Sequence, residues 1–259
     1  DGDRFLRTFW EVRSSDTRWQ LFQVTSLETT PVGGLSEVVF WEGGQGALAR
    51  SDAARVQGHS AWNKAGVVVS RMNRLRANLY FGSLYDKMAV ALIPSEPKYL
   101  GAIWAFCSDD AYHAAVRAVS QNAAVATATL AQVPFDAAYW LKVAAERWPS
   151  GLPSPTSDDA TQWPFHGHPK NSVNVLQVGV ARLVGYQWPR QIGNKFAGCP
   201  ALGPDGLEKH ADSDGIVTLN PIKGEQPAAA RLLALLTDAF GSAWSAARLD
   251  ALLAQVGFA

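Results

Sequence analysis

The sequence predicts an α+β fold, β-rich at the N-terminal end with helices packed behind it and mainly helical toward the C-terminal end. Three observations predict it. Short β-branched and apolar runs occur up to residue 94 and then stop. Apolar residues at helical spacing begin after residue 95 and return near the C-terminal end. Glycine and proline clusters separate these stretches.

Taken in order, WQLFQV (19–24), EVVFW (37–41), GVVVS (66–70) and MAVALIP (88–94) are the expected strands. Gly33-Gly34, the glycines at 43, 44 and 46, and Gly82 are expected turns. Residues 95–148 read as helices. Ser95 is an expected cap and Pro97 suits a first turn. Ser108-Asp109-Asp110 caps a second helix to about Val119, and FDAAYWLKVAAERW (135–148) makes a third, stopped by Pro149. Residues 149–172 form a Pro/Gly-rich connector that carries Trp163 and Phe165 and directly follows Trp148. A helix is expected over 173–187, an irregular stretch over 188–225, and two last helices near 227–240 and 245–257. The domain reading is therefore 1–148, a connector at 149–172, and a helical region at 173–259.

With 259 residues, 47% apolar and 18% charged, the chain can build a sizeable core. Its formal net charge is zero, which excludes a global polyanion-binding signature and leaves only a local patch for nucleic acid. Cys107 and Cys199 have no metal-like spacing and imply no disulfide framework, so a reducing cytoplasm is expected. No apolar run approaches the roughly 20 residues that span a bilayer. The chain begins at Asp1 without a methionine, as expected of a fragment or a processed chain.

FWEGGQGAL (40–48) raises the question of a cofactor loop, since spaced glycines after a strand can bind a cofactor. Such a loop needs a helix opening at the glycines and an acidic residue closing the next strand. ALARSDAARV is a modest helix, and GVVVS ends in Ser70-Arg71. There is no Asp/Asn-Pro-Pro-Tyr segment, the signature of amino-methylating DNA enzymes, and no Pro-Pro dipeptide at all. The glycines are expected to form a β-turn. No catalytic or cofactor-binding residue is assigned to this chain.

The stronger signal is basic. Residues 50–76 hold Arg50, Arg55, Lys64, Arg71, Arg74 and Arg76 against one acid, Asp52. In WNKAGVVVSRMNRLRANLYFG (62–82), Arg71, Asn73, Arg74 and Arg76 lie between a β-run and the pair Tyr80-Phe81, with Asn63 and Lys64 ahead of them. Arginine reads guanine edges, asparagine reads adenine edges, and lysine or arginine holds phosphates. The expected DNA-binding residues are Arg50, Asn63, Lys64, Arg71, Asn73, Arg74, Arg76 and Tyr80. The bland alternative is a solvated positive face.

Other constellations read as structural. His166-Gly167-His168 lacks an obvious third metal ligand and is turn-like, so no metal is assigned. Asp212-Ser213-Asp214-Gly215 lacks the glutamate of a calcium loop. Asp158-Asp159 are expected on a surface turn. The tryptophans at 104, 140, 148, 163 and 188 are expected as packing anchors.

IPSEPKYLGAIWAFCSDDAYHAAVRAVSQNAAVATATLAQVPFDAAYWLKVA (93–144), GLPSPTSDDATQWPFHGHP (151–169), LQVGVARLVGYQWPRQ (176–191) and CPALGPDGLEKHADSDGIV (199–217) carry a resemblance. Together they resemble the C-terminal target recognition region of large adenine-specific DNA methyltransferases of phage-defence and restriction-modification systems, of the DISARM or BREX type. FWEGGQG and WNKAGVVVSRMNRLRANLYFGSLYD resemble segments of that recognition region, not of the cofactor loop. One departure is Val125-Ala126-Thr127-Ala128-Thr129, where the family tends to read Val-Thr-Asn-Ala-Thr, so an Asn contact is lost or replaced by Thr127.

The resemblance implies that residues 1–148 form a target recognition domain, non-catalytic by itself. S-adenosylmethionine belongs to the parent enzyme and no cofactor to this chain. The implied partners are double-stranded DNA, a catalytic methyltransferase domain and other defence-system proteins, without a membrane. In this reading Lys64 and some arginines hold phosphates, and Arg71, Asn73, Arg74 or Arg76 read bases. The alternative is a docking module, in which the tryptophan-rich helical part binds a partner protein within the same defence complex.

Overall fold

The computed structural model describes residues 2–13, 16–52, 54, 56–72, 74–196, 198–222 and 224–258. The fold is α+β with a helical C-terminal region. Its contacts divide into two compact units, residues 1–155 with 196–199, and residues 156–195 with 200–259. The division falls inside the Pro/Gly-rich stretch.

The first unit opens with a short helix α1 (Gly2–Phe5) and contains both sheets. The strands are β1 (Leu6–Thr8), β2 (Trp19–Gln23), β3 (Glu37–Phe40), β4 (Gly66–Ser70), β5 (Ala77–Tyr80), β6 (Leu84–Tyr85) and β7 (Ala89–Leu92). One sheet runs β1-β3-β2-β6, antiparallel except for the β2–β6 pair. The other runs β5-β4-β7 and is antiparallel throughout. Gln23, fully buried on β2, ties the sheets together: its Nε2 donates to the carbonyls of Gly33 and Leu79 at 3.1 Å each.

GVVVS reads as an unbroken apolar run because β4 is covered on both faces. Val67 and Val69 face one core with Leu79 and Val90. Val68 faces the other with Tyr80, Ala89 and Ala61. The first core is completed by helices α2 (Leu100–Cys107), α3 (Asp110–Val119), α4 (Thr127–Ala131) and α5 (Ala137–Arg147), which contribute Trp104, Tyr112, Leu130 and Trp140. Asp109 caps α3 by accepting from the Ala111 N–H at 3.0 Å, and Asp136 caps α5 through Tyr139 N–H at 3.0 Å. Ser95 does not cap. The chain enters α2 through a 3₁₀ turn at Pro97–Tyr99 flanked by Glu96, because Pro97 starts that turn first.

The second unit is built from α6 (Val175–Leu183), α7 (Ala228–Phe240) and α8 (Ala246–Gln255). Their apolar stripes meet through Val175, Leu183, Leu235, Leu236, Phe240 and Leu252. Irregular chain over 156–173 adds buried Trp163 and Phe165. Phe165 meets Trp188 edge-on with centroids 5.1 Å apart, and the Trp188 indole N–H donates to the Ala160 carbonyl at 2.8 Å. The tryptophans at 104, 140, 163 and 188 are thus interior, between 1 and 6% exposed. No helix among the described residues is long and apolar enough to cross a membrane.

Candidate nucleic-acid interface

The glycine stretch is a turn. Strand β3 is antiparallel to both its neighbours, and the chain then folds through a 3₁₀ turn at Glu42–Gly44, not into a helix. Glu42, Gly43 and Gly44 all take positive φ, at 50°, 63° and 79°. The Glu42 carboxylate accepts from the Ala47 N–H at 3.0 Å and closes the loop on itself. That carboxylate occupies the space a side chain at Gly46 would need. A cofactor phosphate or sulfonium site built from a parallel strand and a helix N-terminus does not fit these residues.

The basic cluster separates into two patches at opposite ends of one hairpin. Asn63 and Lys64 are exposed on a turn that precedes β4. This turn rests on the residue after β5, with the Asn63 N–H donating to the Gly82 carbonyl at 2.8 Å. Gly82 has a φ of 88°, and a Cβ there would sit 2.8 Å from the Asn63 Cα, so only glycine lets the turn lie so close. Arg71, Arg74 and Arg76 lie at the other end, on the loop that joins β4 to β5. The five-residue length of β4 puts roughly 13 Å between the two ends at about 3.3 Å per residue. Arg50 is exposed on the turn that follows the glycine stretch.

The β4–β5 loop is braced, not loose. Leu75 at its centre is 2% exposed and packs into the helical core, with a positive φ of 52°. Arg71 acts as a strut: its Nε donates to the Val125 carbonyl at 3.0 Å and its Nη1 to the Lys87 carbonyl at 3.3 Å. Its own N–H donates to Met88, and its carbonyl accepts from Val125. Arg74 is left exposed and Arg76 half-buried, and neither makes an ion pair among the described residues. Asn73 lies outside the described residues, as does Arg55.

Tyr80 is corrected. Strand alternation places it beside Val68 on the covered face, where it is 1% exposed. Its hydroxyl donates to the Ser83 carbonyl, and its ring meets Tyr85 edge-on at 5.5 Å. Burial pushes its phenol well above the usual range. An interior ring cannot touch DNA, so Tyr80 is a packing residue.

What the sequence missed lies across from the loop. Arg74 and Arg76 share a cleft of about 310 Å³ with Thr29, Asp109, Asp110 and His113. The residues of α3 appear in the sequence only as a helix cap, more than thirty positions from Arg76, and nothing in their local pattern announces the juxtaposition.

In the second unit, His166 and His168 line a separate cavity of about 310 Å³ with Asp205 and Gln191. The His166 Nδ1 accepts from the His168 N–H, and the His168 Nδ1 accepts from the Lys170 N–H, each at 3.0 Å. These bonds assign the proton of each neutral ring to Nε2. Burial, the first cause in each case, lowers both imidazole pKa values. No group of three potential metal ligands occurs among the described residues. Arg182, 2% exposed, donates through Nη1 and Nη2 to the two Asp205 carboxylate oxygens at 2.7 and 2.8 Å, and through Nη1 to the Gly167 carbonyl at 3.0 Å.

No protein-family model matches the chain, and no curated protein matches it significantly.

Proposed function

We propose that the chain is the sequence-reading module of an adenine-N6 DNA methyltransferase in a restriction-modification or phage-defence system, non-catalytic by itself. The observation that carries this reading is the β4–β5 loop. Leu75 and Arg71 fix it from within, and it carries Arg74 and Arg76 with no ion-pair partner among the described residues. Anchoring by Arg71 and Leu75 lowers the ordering cost of presenting the guanidinium groups of Arg74 and Arg76 to base edges.

Exposed Lys64 lies about one strand length away. The major groove of B-DNA is about 12 Å wide, so a lysine at that distance suits a phosphate on the groove wall. In this reading Lys64, Asn63 and Arg50 set the register, while Arg74 and Arg76 read bases. Arg71 supports the loop. Double-stranded DNA is the partner, the catalytic domain binds S-adenosylmethionine, and the assembly works in the cytoplasm with other defence proteins.

The test is fluorescence anisotropy of the chain with a random duplex pool, titrated with salt, followed by sequencing of the bound fraction. Salt-sensitive binding with an enriched motif is expected, and charge reversal at Lys64 and Arg74 abolishes it. Binding that survives the double reversal overturns the interface.

A second reading, docking to a partner protein, is supported by exposed aliphatic residues on α6 and nearby loops: Val180, Val184 and Ile216 are 50, 41 and 64% exposed. The buried tryptophans do not supply such a surface. Absence of DNA binding at low salt favours this reading.

A further inference from the structure

The cleft beside the basic loop has an unusual charge balance for a nucleic-acid contact. Arg74 and Arg76 enter it from the β4–β5 loop, and Asp109 and Asp110 from the start of α3. Asp109 is engaged: it caps α3 and accepts from Arg147 Nη2 at 3.0 Å. Asp110 is exposed and makes no ion pair within 4 Å among the described residues, like both arginines. Arg74, Arg76 and Asp110 thus share a cleft of about 310 Å³ with no ion pair between them among the described residues.

A phosphate gains less here than at an all-basic site. Arg147 takes Asp109, Asp110 offsets part of the charge of the two cleft guanidinium groups, and a dianion or monoanion meets Asp110 in the same cleft. A neutral ligand that offers acceptors next to a donor satisfies both kinds of group at once. A guanine edge presents O6 and N7 as acceptors, and the cytosine paired to it presents the N4 amino donor beside them. Arginine takes the first and a carboxylate takes the second.

We infer that Arg74 and Asp110 together read one G·C base pair from the major-groove side, Arg74 donating to guanine and Asp110 accepting from cytosine, so that this cleft fixes sequence and does not hold backbone. This rests on the DNA-reading function proposed above. It assigns a specificity role to Asp110, on a helix that otherwise looks purely structural. Arg76, half-buried, lines the same cleft.

The experiment compares the 259-residue chain with Arg74→Ala, Asp110→Asn and Lys64→Ala, each checked for an unchanged unfolding transition. Bound duplexes are sequenced and the salt slope of binding is measured for each. Arg74→Ala relaxes a single G·C position of the motif by about 5- to 150-fold and leaves the salt slope in place. Asp110→Asn relaxes the same position, because an amide no longer rejects the alternatives to cytosine. Lys64→Ala leaves the motif intact and lowers the slope by about 1.

If the chain enriches a motif that both Arg74→Ala and Asp110→Asn retain, the inference is wrong while DNA reading stands. If Arg74→Ala weakens all sequences equally and lowers the slope, Arg74 is a phosphate contact and the inference is again overturned. If the unsubstituted chain binds no duplex at low salt, both this inference and the reading beneath it fail.

Discussion

The β4–β5 loop of the first unit and the irregular stretches of the second use arginine in opposite ways. In the first, Arg74 and Arg76 sit on that loop without an ion-pair partner among the described residues, while Arg71 at its start turns inward to brace the chain. In the second, Arg182 and Arg190 are 2 and 4% exposed and clamp irregular loops. Arg190 donates to the carbonyls of Pro200 and Pro164 at 3.0 and 3.3 Å, and Arg231 pairs with Asp212 at 2.6 Å. The difference follows from backbone order. A sheet satisfies its own carbonyls by strand pairing, so its connecting loop can spare charged side chains. A long irregular stretch leaves carbonyls unpaired, and buried guanidinium groups with five N–H donors supply the missing bonds.

Arg182→Ala breaks this comparison most severely. It strands the Asp205 carboxylate and the Gly167 carbonyl, and a loss of about 3–5 kcal/mol in unfolding free energy is expected, read from urea denaturation. A loss below about 1 kcal/mol, the size typical of a surface pair, would show that the clamp is solvent-screened in solution.

A pH titration separates the units at smaller cost. The folded imidazoles of His166 and His168 titrate below their usual value because burial disfavours the charged ring. The unfolded chain therefore binds these protons first. Their contribution is fully present above about pH 6.5, the ordinary histidine value, and is lost as pH falls through the folded values. Burial raises the pKa of Asp205, yet the bonds from Arg182 outweigh it and hold the carboxyl low, so its contribution disappears only at more acid pH. Hydrogen exchange of segments 163–172 and 66–80, compared at pH 7.5 and 5.5, should show protection falling in the former while the latter is steady. Equal loss in both segments would contradict the assignment.

Tyr80→Phe is the mildest change. It removes one buried hydroxyl that bonds to Ser83, at a cost of about 1 kcal/mol in stability. DNA affinity is expected to stay as it was, because the ring is inside. A variant that keeps its stability but loses DNA affinity would restore Tyr80 to the interface.

Much of the architecture was legible in local patterns. The runs at 19–24, 37–41, 66–70 and 88–94 form strands, and the helical spacings at 135–148, 227–240 and 245–257 form helices within a few residues of the expected bounds. The turn reading of the glycine stretch also follows from its context, since a strand without a helix after it offers no cofactor loop. Such features depend on side-chain periodicity and on glycine's access to positive φ, which are properties of short segments.

The candidate site was only half legible. A run of basic residues over 50–76 is visible in the sequence, but its division between two ends of a hairpin is set by the antiparallel pairing of β4 with β5. Layers on both faces of the β5-β4-β7 sheet bury Tyr80 whichever way it points, while Lys64 and Arg74, on turns beyond the strand ends, stay exposed. The inward turn of Arg71 requires Val125 and Lys87, and the cleft requires α3 beside the loop, all brought there by packing of the helices on the β5-β4-β7 sheet. Charge and periodicity are written residue by residue, so the sequence by itself determined the elements and the presence of a basic stretch. Which of its charges are free, which are struts and which acids they face depends on contacts between distant segments, and only the tertiary structure decided it.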